Sequence, residues 1–152
     1  MGQQQLLLLV LSTVIVGLAT VAGIQAFSES QAQASQDALV QKGTSIASDI
    51  QGLYGKPTQM GGLDNVDDVS GTELRKRLAY DSTDTGNDYV PAPGAGAGGE
   101  CQLITNSTGS NGQARIVCAS DDATQDVTVG FDPDKDPAIQ TAFGSGKQDP
   151  YS

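Results

Sequence analysis

Cys101 and Cys118 are the only two thiols in the chain, and it contains no histidine. A zinc site would therefore lack ligands, and the commonest general base is missing. In an oxidising compartment the chemistry open to these thiols is a disulfide. The competing reading is two unpaired buried thiols. Pairing them across an antiparallel hairpin sets Leu103 opposite Ile116. Cys101, Leu103, Ile116 and Cys118 then share one face, as period-two alternation requires. The turn falls near Gly109-Ser110, inside the polar stretch NSTGSNG. Closing a loop of that size stabilises the fold by about 3 kcal/mol in the chain-entropy model.

Two other groupings carry potential chemistry. Asp132, Asp134 and Asp136 alternate in FDPDKDP, which would suit carboxylates around Ca²⁺ or a solvated acidic turn. An EF-hand is excluded: its sixth-position glycine is Pro137 here, and its twelfth-position glutamate is Phe143. Asn106-Ser107-Thr108 is an N-x-[ST] sequon in a predicted turn, so Asn106 is a candidate glycosylation site. No nucleophile elbow, P-loop or dinucleotide fingerprint is present. The cluster VPAPGAGAGGE follows no parallel strand and has no downstream Lys-Ser/Thr. With no visible base, metal cluster or activated nucleophile, the expectation is a protein that is not an enzyme and takes no cofactor.

These residues must be held by the elements around them, and the first element is the plainest. Leu6 to Ile24 read LLLLVLSTVIVGLATVAGI, and no charge appears before Glu29. Nineteen helical residues at about 1.5 Å each span roughly 28 Å, close to a bilayer's hydrocarbon thickness. A secretory signal peptide would have a basic leader, which is missing here, although Ala32-Gln33-Ala34 is a cleavage-like site. A plain membrane anchor is a second reading. The third is a helix that passes from the membrane into the dry core of a filament.

The continuation favours the third reading. Leu39, Gly43, Ile46, Ile50 and Leu53 recur at spacings of four, three, four and three, which is one helix face. Gln36, Lys42, Ser48, Asp49 and Gln51 take the opposite face. One helix is predicted from about Gln3 to Leu53, ended by Gly55 and Pro57. Its length would be about 75 Å, more than a bilayer needs. The expected division is a helix over 1–54 and a small disulfide-bonded head over 55–152.

The head is one modest domain. Trp is absent, and glycine is abundant at 19 residues. Lys and Arg number 8 against 18 Asp and Glu, a net charge of −10. Such a surface repels nucleic acid and anionic lipid. Residues 55–72 read as an irregular connection. TELRKRLAY, from Thr72 to Tyr80, reads as a short helix with Thr72 as N-cap. Val90 to Gly99 reads as a loop or linker. CQLIT, QARIVCA and DVTVGF are predicted strands, with Val127, Val129 and Phe131 toward one face. Residues 132–152 read as an extended tail. The predicted fold class is α+β, a long N-terminal helix with a small antiparallel sheet.

A charge-free start, a long apolar run, an amphipathic continuation and a disulfide-bearing antiparallel head resemble a type IV pilin. The resemblance covers the architecture of the chain, and its motif content lies in residues 1–27. It implies processing by a prepilin peptidase after a glycine, often with N-terminal methylation. It also implies a Glu at the fifth mature position. With Met1 as the mature terminus, Gln5 stands there. With Gly2 as the cleavage glycine, Gln3 becomes terminal and Leu7 takes the place. No carboxylate is available in either register. Gln5 would accept a weaker hydrogen bond from a neighbour's amine than a carboxylate would.

The residues expected to carry assembly are Met1, Gln5, Leu6, Leu9, Thr13, Val16, Gly17, Gly23 and Phe27. Thr13 with Gly17, and Ala19 with Gly23, give small-xxx-small spacings for close helix packing. The implied partners are copies of the same chain in a helical polymer, the membrane before assembly, and the pilus assembly machinery, with no nucleic acid. The expected product is an extracellular filament for adhesion or motility. A pseudopilin of a secretion system and a monomeric membrane-anchored interaction module are the alternatives.

Overall fold

The computed structural model describes residues 2–105 and 113–144. Its first element, α1, is one continuous helix over Gly2–Tyr54. The chain has no proline before Pro57, so nothing interrupts the backbone ladder. The helix end is closed by its own sequel. Gly55 N donates to Gln51 O at 3.0 Å, and Lys56 N and Leu63 N both donate to Leu53 O, at 3.2 and 3.3 Å. Carbonyls left over at a helix C-terminus are thereby satisfied.

Two short 3-10 turns, Thr58–Met60 and Val66–Asp68, follow. They lead into α2, Gly71–Arg77. Its N-cap is Ser70, not Thr72: Ser70 Oγ accepts from Glu73 N at 3.3 Å. Ser-x-x-Glu is a capping-box sequence, and the serine outside the helix wins because its backbone is still extended. Arg77 and Glu73 add an ion pair at 3.5 Å, one turn apart.

Five strands form one antiparallel meander in the order β1-β2-β3-β4-β5. They are β1 Tyr89–Pro91, β2 Glu100–Thr105, β3 Ala114–Ala119, β4 Val127–Phe131 and β5 Ile139–Phe143. The three predicted strands are β2, β3 and β4. The stretch predicted as a loop, Val90–Gly99, begins inside β1, where Val90 pairs with Cys101. Its later part is core as well as loop, since Ala92 and Ala95 are buried. The predicted tail from residue 132 contributes β5, whose Ile139 pairs with Phe131.

The expected register is present, with Cys101 opposite Cys118 and Leu103 opposite Ile116. The next pairing sets Cys118, Ile116 and Ala114 against Val127, Val129 and Phe131. All these side chains fall on one face, and all are buried. That face meets Leu39, Ile46, Ala47 and Ile50 of α1, each fully buried. The core is therefore a single layer between the second half of α1 and the inner face of the sheet.

Candidate functional site

Among the described residues, nothing buries the first half of α1. From Leu6 to Phe27 its large apolar side chains are exposed on every side of the helix, Leu6 to 67% and Phe27 to 71%. Soluble monomers do not leave apolar patches of this extent uncovered. The helix is long and apolar enough to cross a membrane, and none of the apolar window is buried within the chain. This is compatible with membrane anchoring.

The polar side chains in this segment are already paired. Between Leu6 and Ile24 they are Ser12, Thr13 and Thr20. Each hydroxyl donates back one turn: Ser12 Oγ to Leu9 O at 2.9 Å, Thr13 Oγ1 to Val10 O at 2.8 Å, and Thr20 Oγ1 to Gly17 O at 2.8 Å. The segment therefore needs no water to satisfy a polar side chain, which a dry medium demands.

Of the expected assembly residues, Gln5, Leu6, Leu9, Thr13, Val16, Gly17, Gly23 and Phe27 all lie on this exposed half. Met1 and Asn106 lie outside the described residues, as does the Gly109-Ser110 turn. A Cβ added at Gly17 or Gly23 would meet no atom within 4 Å. Nothing among the described residues therefore requires glycine at either place.

Beyond Gln33 the same helix is gripped by the head. A Cβ on Gly43 would stand 2.7 Å from Val129 Cγ2 and 3.3 Å from Cys118 Sγ. The bare helix backbone lies directly on the disulfide. Cys101 and Cys118 are bonded, with their Cα atoms 3.9 Å apart. Gln36 Oε1 accepts from Thr124 Oγ1 at 3.0 Å, and the rings of Tyr54 and Phe131 meet edge-on at 6.0 Å.

A second clamp was not expected from the sequence. Tyr80 Oη donates to Asp49 Oδ2, and Lys42 Nζ lies 4.4 Å from the centre of the same ring. Burial pushes the Tyr80 phenol up, and the hydrogen bond to Asp49 and its charge push the same way. Arg75, buried behind it, donates from Nε to Asn87 O at 2.6 Å and from its guanidinium to Tyr80 O. Lys42 and Asp49 lie on the helix face read as polar; only the return of the chain after α2 brings Tyr80 to them.

The acidic run over Asp132–Asp136 folds on itself. Asp132 is buried, Oδ1 accepts from Asp134 N at 3.0 Å, and Oδ2 accepts from Gln113 Nε2. Asp134 and Asp136 are exposed. Among the described residues no group of three His, Cys, Asp or Glu is arranged to hold a metal ion.

The Gly-rich loop wraps the next turn. Asp122 Oδ2 accepts from Ala97 N at 2.8 Å. Gly96, at φ +86, passes so close that a Cβ there would sit 2.1 Å from that carboxylate oxygen. This cluster holds a carboxylate of its own chain instead of a nucleotide phosphate.

Compared with protein-family models, with curated proteins and with solved structures, the chain gives no match.

Proposed function

We propose that the chain is a structural subunit, similar to a type IV pilin, that polymerises through its apolar N-terminal helix into an extracellular filament. One observation carries this reading. Half of α1 is exposed on all sides while the other half is sealed into a head. In a membrane, lipid covers the exposed half and stores the monomer. In a filament, the same surface is covered by copies of itself, and head-to-tail contacts that do not close give a helical polymer. The self-paired hydroxyls of Ser12, Thr13 and Thr20 suit both surroundings. Adhesion or motility would follow from the filament, and a prepilin peptidase and assembly machinery would be its partners.

A monomeric membrane-anchored module is the second reading. It is favoured by the match of the Leu6–Ile24 run, about 28 Å, to one bilayer crossing. Removal of residues 1–28 tests both. The truncated chain is expected to be a soluble monomer with its disulfide intact. The full chain is expected to give filaments by electron microscopy of sheared surface material. Long filaments from the truncated chain would sink the assignment. A full chain found in membranes alone, at native expression, would favour the anchored module.

A further inference from the structure

The sheet has two edges, and the chain treats them differently. On one side, β1 is short and ends at Pro91. Beyond it, the edge of β2 is covered: Leu103 N donates to Asp88 O at 2.9 Å, and Thr105 Oγ1 donates to Val69 O at 2.6 Å. Gly71 lies so near that a Cβ there would fall 2.1 Å from Leu103 O. An edge covered in this way offers nothing to another chain.

Among the described residues, nothing pairs with the outer edge of β5. Asp132 N donates to Ala138 O at 2.9 Å, and Gly144 N to Asp126 O at 3.1 Å. In an antiparallel ladder, residues alternate between inward and outward bonding. These two bonds fix the phase: Gln140 and Ala142 turn their backbone groups to β4. Ile139, Thr141 and Phe143 turn theirs outward, where no described residue meets them. Phe143 is 53% exposed and Thr141 is exposed as well. Protecting devices are absent from the strand itself, since IQTAF has neither lysine nor proline.

We propose that β5 is a docking edge for the β5 strand of a second copy, paired antiparallel about a two-fold axis at Thr141. Copies of net charge −10 repel in general, but the run from Pro137 to Gly144 carries no charged side chain, so two β5 strands can meet without adding to that repulsion. The strand also complements itself. A two-fold at Thr141 sets Ile139 of one copy opposite Phe143 of the other, an apolar cross-strand pair at each end. The outward backbone groups of Ile139, Thr141 and Phe143 then exchange hydrogen bonds with their counterparts.

A two-fold contact closes on itself and cannot lengthen a polymer. It joins two anchored subunits, or two filaments, side by side. One such strip is small and belongs to the transient class of contacts. Repetition along a filament would multiply its strength. The contact requires only the head, so it stands or falls separately from the role of the apolar helix.

Amide hydrogen exchange of the full chain in detergent micelles, read at low and high protein concentration, tests the pairing. The amides of Ile139, Thr141 and Phe143 are expected to slow as concentration rises. Those of Gln140 and Ala142 are expected to be protected at both concentrations. Outward amides that exchange at one rate throughout would overturn the proposal.

A second reading uses thiol cross-linking. Thiol oxidation of Thr141→Cys is expected to yield a linked dimer well above that of Ser82→Cys, a control on an exposed loop. Adding Phe143→Lys is expected to remove the excess. Equal yields at the two sites would also overturn the proposal. Should Phe143→Lys unfold the head, seen as lost protection at Gln140 and Ala142, the exchange result on the unaltered chain decides. Repeating both readings in a Val16→Asp chain separates the two proposals, because head pairing is expected to survive there whether or not filaments form.

Discussion

Gly17 and Gly43 lie on one continuous helix, and a methyl group added to each would meet opposite surroundings. At Gly43 it would press on Val129 and on the disulfide sulfur of Cys118; at Gly17 it would point into empty space. The same division runs through the whole of α1. Ile46 and Ile50 are fully buried, whereas Ile15 and Ile24 are more than half exposed. Helical backbone is common to both halves, so secondary structure does not tell them apart. The second half has found its partner within the chain. The first half meets no partner among the described residues, which is compatible with membrane anchoring.

The largest expected effect comes from placing a charge in the first half. Val16→Asp is expected to abolish filaments, because an isolated carboxylate in a dry core is strongly disfavoured. The thermal unfolding of the head is expected to stay where it was. Filaments of normal length from this variant would remove the distinction between the halves.

Breaking the covalent bond acts on the other side of the comparison. With both Cys101 and Cys118 replaced by Ala, the head is expected to lose about 3 kcal/mol in chemical denaturation. The helix content of residues 2–30 is expected to be unchanged by hydrogen exchange in micelles, since that segment makes no contact with the bridge.

The glycines give a smaller and sharper contrast. Gly43→Ala is expected to cost the head about 1–3 kcal/mol, because Val129 or the helix must shift. Gly17→Ala is expected to leave the head unchanged and to favour the local helix by up to about 1 kcal/mol. Any loss of filaments from Gly17→Ala, read by electron microscopy, would show that close approach by another copy uses that space.

The smallest effect is at Tyr80. Its neutral phenol is favoured in the fold by burial and by Asp49, so its titration is raised above the ordinary 10.0. The sign follows: this contribution is fully present below the unfolded phenol's value and is lost as pH rises through the folded one. Phenolate absorbance is expected to show one tyrosine titrating late, and Tyr80→Phe is expected to remove that step. A late step that persists in Tyr80→Phe belongs to another tyrosine.

Much of this was legible in the residue pattern, for identifiable reasons. Leu39, Gly43, Ile46, Ile50 and Leu53 recur at helical spacing, and all five are buried. The alternation in CQLIT and ARIVCA fixed the pairing of Cys101 with Cys118. In each case one face of an element had to be apolar, so local spacing carried the information. The residues that misled are those whose partner is distant or whose run is short. Tyr89-Val90-Pro91 has too few residues to alternate, and Val90 becomes a strand residue only because Cys101 lies beside it. Ile139–Phe143 sits among prolines and glycines that read as tail, and β4 alone makes it a strand. Thr72 reads as the cap of α2, yet the Ser70 and Glu73 spacing points two residues earlier, to Ser70.

The candidate site divides in the same way. Its extent, charge-free and apolar from Leu6 to Ile24, is a property of the sequence alone, because no described residue packs against it. That the three hydroxyls in it are satisfied also follows from local helix geometry, each bond reaching back one turn. Where the apolar helix ends and the head begins was decided only by tertiary structure. Amphipathic spacing marks a face to be buried without saying what buries it, and the sheet's inner face supplied that. The clamp of Tyr80 on Asp49 and Lys42, the covered edge at Leu103 and the outer edge at β5 belong to the same class. Each depends on residues far apart in the chain meeting at short range, and no local period encodes such a meeting.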